Sequence, residues 1–122
     1  MELIENKDGT SNIINSITHD EIIINGVTIK ESCIVTNSAL LTNLNIYSIE
    51  NLASIHIENL LSSNPELILI GSGSEHVFPM TELLTPVAKK NIGLEVMNNH
   101  SATITYNVLV AEERKVACLL II

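Results

Sequence analysis

The sequence is poor in aromatic residues and in cations. Only 2% of its 122 residues are aromatic, with one Phe, two Tyr and no Trp. The core must therefore be built from Ile, Leu and Val. Six Lys and Arg stand against 14 Asp and Glu, so the net charge is −8. Because nucleic-acid binding depends on clustered cations that release counterions, this composition argues against nucleic acid as a partner and against attraction to an anionic membrane surface.

Long apolar runs, targeting segments and metal-ligand spacings are also missing. No stretch approaches the ~18 consecutive apolar residues of a membrane helix, so we expect no direct membrane insertion. The acidic N-terminus lacks the features of a signal or transit peptide, which predicts a cytoplasmic protein. Cys33 and Cys118 lie among apolar neighbours, as buried reduced thiols do. No Cys/His spacing suits zinc, and we predict neither a metal site nor a cofactor.

What is present indicates one α/β domain over 1–122, with a flexible N-terminus over 1–11. Hydrophobic residues make up 46% of the chain, enough for a packed core. Asn25-Gly26 lies between two β-branched runs and predicts a hairpin with a type I′ turn, since both residues accept positive φ. A further strand follows through Cys33, and 37–48 reads as an irregular bridge with no firm conformation.

From residue 49 the apolar spacing changes to that of a helix face. Ser48 is a candidate N-cap of the first helix, His56 is expected to be a partly buried structural residue on it, and Pro65 closes it. Pro86 predicts a kink or a late start in the second helix. The predicted segments are a helix over 49–60, a strand over 66–70, a helix over 80–90, a strand over 92–97, a helix over 101–113 and a final strand over 116–122.

This α-β-α-β-α-β order predicts a three-layer, Rossmann-like, mostly parallel sheet with an N-terminal antiparallel β-hairpin region. In such sheets, sites form beyond the carboxyl ends of the strands. Two loops, 71–79 and 97–101, occupy that position and would form a crevice. The candidate binding residues are Gly71, Ser72, Gly73, Ser74, His76, Asn98, Asn99, His100 and Tyr106.

The glycine loop has two interpretations. It could cradle a phosphate or nucleotide, but the third glycine of the dinucleotide fingerprint is replaced by His76 and no Walker lysine is present. Alternatively, Gly71 and Gly73 serve a tight strand exit. His76 could act as a general base, yet no nucleophile is placed beside it, so no catalytic residue is predicted. Tyr106 is expected to bury its ring, with participation in the site as the alternative.

Several motifs in order resemble one family of small α/β domains of unknown biochemical function. It includes the mitochondrial complex I assembly factor three and the adipogenesis-associated domain protein. The resemblance covers about 20–122, and residues 40–48 depart from it because family members often carry a tryptophan there. The matching motifs are Ile70-Gly71-Ser72-Gly73, Phe78-Pro79, Ile92-Gly93-Leu94-Glu95-Val96-Met97, Thr105-Tyr106-Asn107 and Leu109-Val110-Ala111-Glu112.

The resemblance implies a three-layer Rossmann-like domain and a protein that acts with other proteins, without catalytic residues to carry over. Our leading hypothesis is a non-enzymatic binding or assembly module that serves biogenesis of a respiratory or other membrane complex. The alternative is a small-molecule or nucleotide-type ligand, or weak catalysis by His76 or His100, at the crevice of the 71–79 and 97–101 loops. The sequence leaves the oligomeric state open, with a homodimer among the alternatives.

Overall fold

The computed structural model describes all residues from 1 to 122. Nine strands form two sheets, and three α-helices connect or cover them. The strands are β1 (Glu2–Glu5), β2 (Ile14–Ile17), β3 (Ile22–Ile24), β4 (Val27–Ile29), β5 (Cys33–Thr36), β6 (Ala39–Thr42), β7 (Leu67–Gly71), β8 (Gly93–Met97) and β9 (Val116–Leu120). The α-helices are α1 (Ser54–Leu61), α2 (Thr85–Lys89) and α3 (Asn99–Ala111), and short 3-10 helices span Ile49–Asn51 and Thr81–Leu84.

The larger sheet has six strands in the order β1-β6-β5-β9-β7-β8. Strands β9, β7 and β8 are parallel neighbours, as the α-β alternation predicts. Strands β1, β6 and β5 complete this sheet through antiparallel pairs: β1 with β6, β6 with β5, and β5 with β9. Consequently β6, β9, β7 and β8 point the same way, whereas β1 and β5 point the opposite way. The fold is a mixed α/β fold with a sheet of mostly parallel strands and a separate antiparallel hairpin sheet, β2-β3-β4.

Both faces of the larger sheet are covered, which explains why β7 is apolar without interruption. Helices α1 and α2 pack on one face, where Ile68 and Ile70 of β7 meet Leu60 of α1. Helix α3 and the hairpin sheet pack on the other face, where Leu69 of β7 meets Tyr106 of α3. The six-stranded sheet is therefore the middle layer between two hydrophobic cores.

The hairpin prediction at Asn25-Gly26 is confirmed. Asn25 has φ 50° and Gly26 has φ 79°, and the two residues connect β3 to β4 with Ile24 opposite Val27. Positive φ at both central residues is the requirement of a type I′ turn, which Asn-Gly meets at low cost.

The first helix differs from its prediction at the start. Residues Ile49–Asn51 form a 3-10 helix and α1 begins only at Ser54. The Ser48 hydroxyl donates to Oδ1 of Asn51 and accepts no backbone N–H, so it makes no cap bond. Instead, Nδ1 of His56 accepts from the Ala53 N–H at 2.9 Å. The same ring bonds the Leu44 carbonyl through Nε2 at 3.0 Å, so His56 is a buried structural residue, as expected.

The other two helices follow the sequence more closely. Helix α2 begins at Thr85 with Pro86 in its first turn, which is the late start that the proline predicts. Asn91 follows its C-terminus with φ 55°, the left-handed geometry that Asn accepts after a helix. Helix α3 is capped by Asn98, whose Oδ1 accepts from the Ser101 N–H at 2.8 Å.

The N-terminus differs from the flexible segment expected over 1–11. Residues Glu2–Glu5 form β1, which pairs with β6 at the edge of the sheet. All four residues are exposed, so the strand buries no apolar face and is held by backbone hydrogen bonds. A strand of that kind leaves no hydrophobic pattern in the sequence.

Candidate functional site

The predicted crevice falls at the switch point between β7 and β8. The chain leaves β7 towards α2 on one face of the sheet and leaves β8 towards α3 on the other face. Loops that diverge in this way open a crevice beyond the carboxyl ends of the strands. Gly71–Ser74 and Met97–Asn99 lie there, so the structure brings together the two loops that the sequence singled out.

Hydrogen bonds bridge this crevice. The Ser72 N–H donates to the Met97 carbonyl at 3.0 Å, and the Asn99 N–H donates to the Gly73 carbonyl at 2.8 Å. The Gly73 N–H donates back to Oδ1 of Asn99 at 3.0 Å. The two loops are therefore joined to each other at their bases instead of standing apart around an open cleft.

Asn99 is the centre of this closure. Its side chain is buried, and Nδ2 donates to the Ile121 carbonyl at 2.8 Å just beyond β9. A Cβ on Gly71 would collide with Oδ1 of Asn99 and would stand 2.9 Å from Cδ2 of Leu120. Glycine at 71 thus makes room for the Asn99 amide. We call Asn99 and its bonds to Gly73 and Ile121 the Asn99 latch.

Ser72 is used inside its own loop. Its Oγ donates to the Glu75 carbonyl at 2.6 Å and accepts from the Val77 N–H at 3.0 Å. These bonds fold 72–77 into a compact turn, while Gly73 supplies φ 109°, a value open to glycine. The amides of Ser72, Gly73 and Val77 are all engaged within the chain, so they are not free to bind a phosphate.

The remaining predicted residues fall into separate groups. Tyr106 lies in the core behind the crevice, where its hydroxyl donates to the Asn12 carbonyl at 2.9 Å. Burial raises the pKa of that hydroxyl well above its ordinary value. His76 is exposed on the opposite side of the loop and contacts Phe78 edge-on, with ring centroids 5.0 Å apart.

Ser74, Asn98, Asn99 and His100 line one cavity of about 250 Å³. Its other wall is the turn after β2, formed by Ile17, Thr18 and His19. We call it the two-histidine cavity. His19 and His100 line the same cavity because β2 packs on α3, and nothing in the sequence indicates that packing.

A second depression lies on the far side of the glycine loop and has a volume of about 190 Å³. Six of its eight lining residues are hydrophobic. The Phe78-Pro79 motif does not by itself indicate exposure, because Phe is usually buried. This depression, the Phe78 groove, is lined by Ile49, Glu50, Leu52, Val77, Phe78, Pro79, Met80 and Leu83.

Neither a metal-binding cluster nor a reactive thiol is found at these surfaces. The structure contains no group of three or more His, Cys, Asp or Glu side chains placed to hold a metal ion. Cys33 and Cys118 are free and buried in the core rather than near the crevice. Desolvation raises the pKa of the Cys33 thiol to about 12, which keeps it protonated and unreactive near neutral pH. None of the helices has the length and apolar character needed to cross a lipid bilayer.

Comparison with known proteins gives relatives from bacteria and animals. The 13 kDa major membrane protein of Francisella tularensis is 37% identical over 76 residues, which are 62% of this chain and 62% of that protein. The NADH dehydrogenase [ubiquinone] 1 alpha subcomplex assembly factor 3 of Xenopus tropicalis is 30% identical over 109 residues, which are 88% of this chain but only 60% of that protein. The chain therefore spans less than two thirds of the length of these two relatives.

A solved structure agrees with the fold. The NMR structure of a Xanthomonas campestris protein superposes with a TM-score of 0.83 at 30% identity, covering 99% of this chain and 92% of that one. A family model described as a protein of unknown function, DUF498/DUF598, matches residues 14–121. The resemblance drawn from the sequence motifs is confirmed, and it extends to β2, ahead of the region that the motifs cover. The chain belongs to the DUF498/DUF598 family.

Proposed function

We propose that this chain is a non-enzymatic binding module that acts with protein partners in the biogenesis of a respiratory or other membrane complex. The observation that carries the proposal is its similarity, over 88% of its length, to an assembly factor named for NADH dehydrogenase. The relative's name says nothing of a reaction, and the match includes both loops of the switch point.

The geometry of the crevice supports the same proposal. The side chains of Ser72, Asn98 and Asn99 form hydrogen bonds within the chain. Those of Ser72 and Asn99 hold the loops at the switch point, and that of Asn98 caps α3. A polar group held in this way shapes the surface and is not free to act on a substrate. The acidic charge and the exposed Phe78 groove are features of a protein that meets other proteins.

Deletion of the gene in the source organism tests this proposal. We expect the amount of intact NADH dehydrogenase, or of another multi-subunit membrane complex, to fall on native gels while its subunits are still made. Expression of this chain from a plasmid should restore the complex. Unchanged levels of every multi-subunit membrane complex in the deletion strain, respiratory or other, would contradict the proposal.

A second candidate is a small-molecule ligand in the two-histidine cavity. The polar Ser, Thr, Asn and His side chains that line it supply hydrogen-bonding groups for a ligand, and its volume of about 250 Å³ limits that ligand to a small one. We also propose that the C-terminal half is Rossmann-like. The parallel run β9-β7-β8 and its switch point support that description, and Rossmann-like sheets bind small ligands at such a point. Three N–H groups of the glycine loop, those of Ser72, Gly73 and Val77, are already bonded within the chain, which argues against their use by a phosphate or nucleotide.

A thermal-shift screen of metabolites and nucleotides tests this candidate, since a ligand that binds only the native state raises Tm by mass action. A true ligand should lose its effect in His100→Ala and keep it in Ile104→Ala, an exposed position on the same helix. No shift across the panel would count against it. A cytoplasmic location is a further part of our proposal, to be measured by cell fractionation. Sedimentation equilibrium measures the oligomeric state, which the sequence leaves open with a homodimer among the alternatives.

A further inference from the structure

The Phe78 groove leaves the largest apolar side chains of the glycine loop outside the core. Phe78 is 66% exposed and Met80 is 68% exposed, although this chain has one Phe in all. Both border a depression floored by buried Ile49 and Leu52. Aromatic side chains and Met at the edge of an apolar pocket are typical of the anchoring positions of protein interfaces.

The groove is held in shape on both sides of Phe78-Pro79. Before it, the Val77 N–H is bonded to Oγ of Ser72 at 3.0 Å. After it, the Met80 carbonyl accepts from the Leu83 N–H at 3.1 Å. Because the backbone is fixed on both sides, little conformational freedom is lost when a partner binds, and a preformed site binds more tightly than a loose one.

The charges around the groove have one sign. Glu50 lines it and is exposed, and Glu75 and Glu82 are exposed at its two ends along the chain. The lining contains neither Lys nor Arg. An acidic border on an acidic protein repels acidic partners and anionic lipid, and it attracts cationic segments.

We propose that the Phe78 groove binds a basic segment of a partner protein, with one large apolar side chain seated between Phe78, Met80 and Leu52 and with Lys or Arg facing Glu50 and Glu82. This inference rests on the proposed function, because it names the surface by which the chain would hold its partner. It commits to a protein segment rather than to a second copy of this chain or to a membrane.

Two labelled synthetic peptides test the proposal on the whole purified chain. Both have an amphipathic helical pattern with the same Leu positions, but one carries Lys and the other Glu on its polar face. Fluorescence anisotropy should show binding of the Leu/Lys peptide that weakens with salt, and no comparable binding of the Leu/Glu peptide. Equal binding of the two peptides would overturn the charge argument.

Matched variants locate the site. Phe78→Ala should weaken binding of the Leu/Lys peptide at least tenfold, and E50Q combined with E82Q should weaken it and flatten its salt dependence. Ile104→Ala, which removes an exposed apolar side chain from α3, should bind as the unmodified chain does. Phe78→Ala is expected to keep the unfolding midpoint, since the side chain is mostly exposed. Full binding by Phe78→Ala would overturn the proposal.

Three further outcomes would each overturn it in favour of another occupant or another site. A dimer in sedimentation equilibrium that Phe78→Ala dissociates would assign the groove to a second copy. Co-sedimentation with phosphatidylcholine vesicles that Phe78→Ala abolishes would assign it to a membrane. If gene deletion lowers the assembled complex and Phe78→Ala restores it fully, the groove proposal fails while the proposed function stands.

Discussion

One amide side chain, that of Asn99, joins three parts of the chain that are far apart in the sequence. It receives the Gly73 N–H, donates to the Ile121 carbonyl and starts α3. Both polar atoms of the buried amide have a partner, and removing the amide would leave those partners buried without a hydrogen bond, at the cost of their full desolvation. The polar residue that looked like a ligand contact is therefore a fastening within the fold.

Asn99→Ala should destabilise the chain by roughly 2–3 kcal/mol, since the Gly73 N–H and the Ile121 carbonyl would both lose their partner. Urea unfolding followed by circular dichroism measures the change. His100→Ala, the exposed neighbour in the same helical turn, should stay within about 0.5 kcal/mol. Equal stability of the two variants would mean that the latch is not a stabilising feature.

Gly71 has no room for a side chain. Gly71→Ala should cost about 1–3 kcal/mol, because its Cβ meets Asn99 and Leu120 in a packed region. Gly93→Ala is the matched control, since its Cβ would press mainly on the movable end of Leu67, so its cost should be smaller. In the Asn99→Ala background the cost of Gly71→Ala should shrink, and additivity of the two changes would argue against direct contact.

The two thiols give a prediction in pH. Desolvation raises the pKa of Cys33 from an ordinary 9.0 to about 12 and raises that of Cys118 well above 9.0. Below pH 9 both thiols are protonated in the folded and unfolded chain, so they add no pH dependence there. Above it the unfolded chain releases their protons first, and stability should fall as pH rises.

Unfolding free energies measured from about pH 8 to about pH 10 check this slope. The double variant Cys33→Ala, Cys118→Ala should show a flatter decline, because it removes both thiols and also the part of the upward shift in the Tyr106 pKa that their charges cause. In the native chain both thiols should resist dithiobis-nitrobenzoate and react once urea unfolds it. Rapid reaction of two thiols in the native state would contradict their burial.

At the scale of elements, the notable contact is between α3 and β2. Asn107 accepts from the Ile14 N–H at 3.0 Å and donates to the Ile14 carbonyl at 2.8 Å, so its amide takes the place of a neighbouring strand. Tyr106 adds its bond to Asn12 beside it. The Thr105-Tyr106-Asn107 motif, which helped to identify the family, thus fastens the small hairpin sheet to the larger one.

Asn107→Ala should loosen the hairpin sheet more than the rest of the molecule. Hydrogen exchange at the Ile14 amide should accelerate by about tenfold or more, while amides of β7 and β9 keep their protection. Val108→Ala, an exposed position on the same helix, is the control. Uniform acceleration across both sheets would show that the hairpin sheet does not open separately.

Elements with strong local patterns were predictable, and contacts made only by distant residues were not. Asn25-Gly26 predicts its turn because a type I′ turn requires two residues that accept positive φ. The apolar run 67–71 predicts its strand because a strand covered on both faces requires apolar residues throughout. Glu2–Glu5 buries nothing, so no pattern marks β1. The two loops of the site were predictable from strand ends, whereas the placement of His19 and His100 around one cavity depends on the packing of α3 on β2.

At the scale of the whole molecule, the six-stranded sheet consists of two halves that meet only at β9. Strand β5 pairs with β9 on one side and β7 pairs with it on the other. The strands before residue 43 and those between residues 67 and 97 have no ladder to each other except through Val116–Leu120. The two cores are therefore completed by the same five residues.

The position of β9 also sets a time order during synthesis. A ribosome makes the chain from residue 1 onwards, so both neighbours of β9 leave it before the strand that joins them exists. Until Val116–Leu120 emerges, each half has an edge with unpaired backbone groups, the kind of surface that chaperones cover and that aggregates. Stalled ribosome complexes should yield protease-sensitive chains when β9 is still inside the tunnel and resistant chains once it is out. Resistance before β9 emerges would mean that one half folds without it.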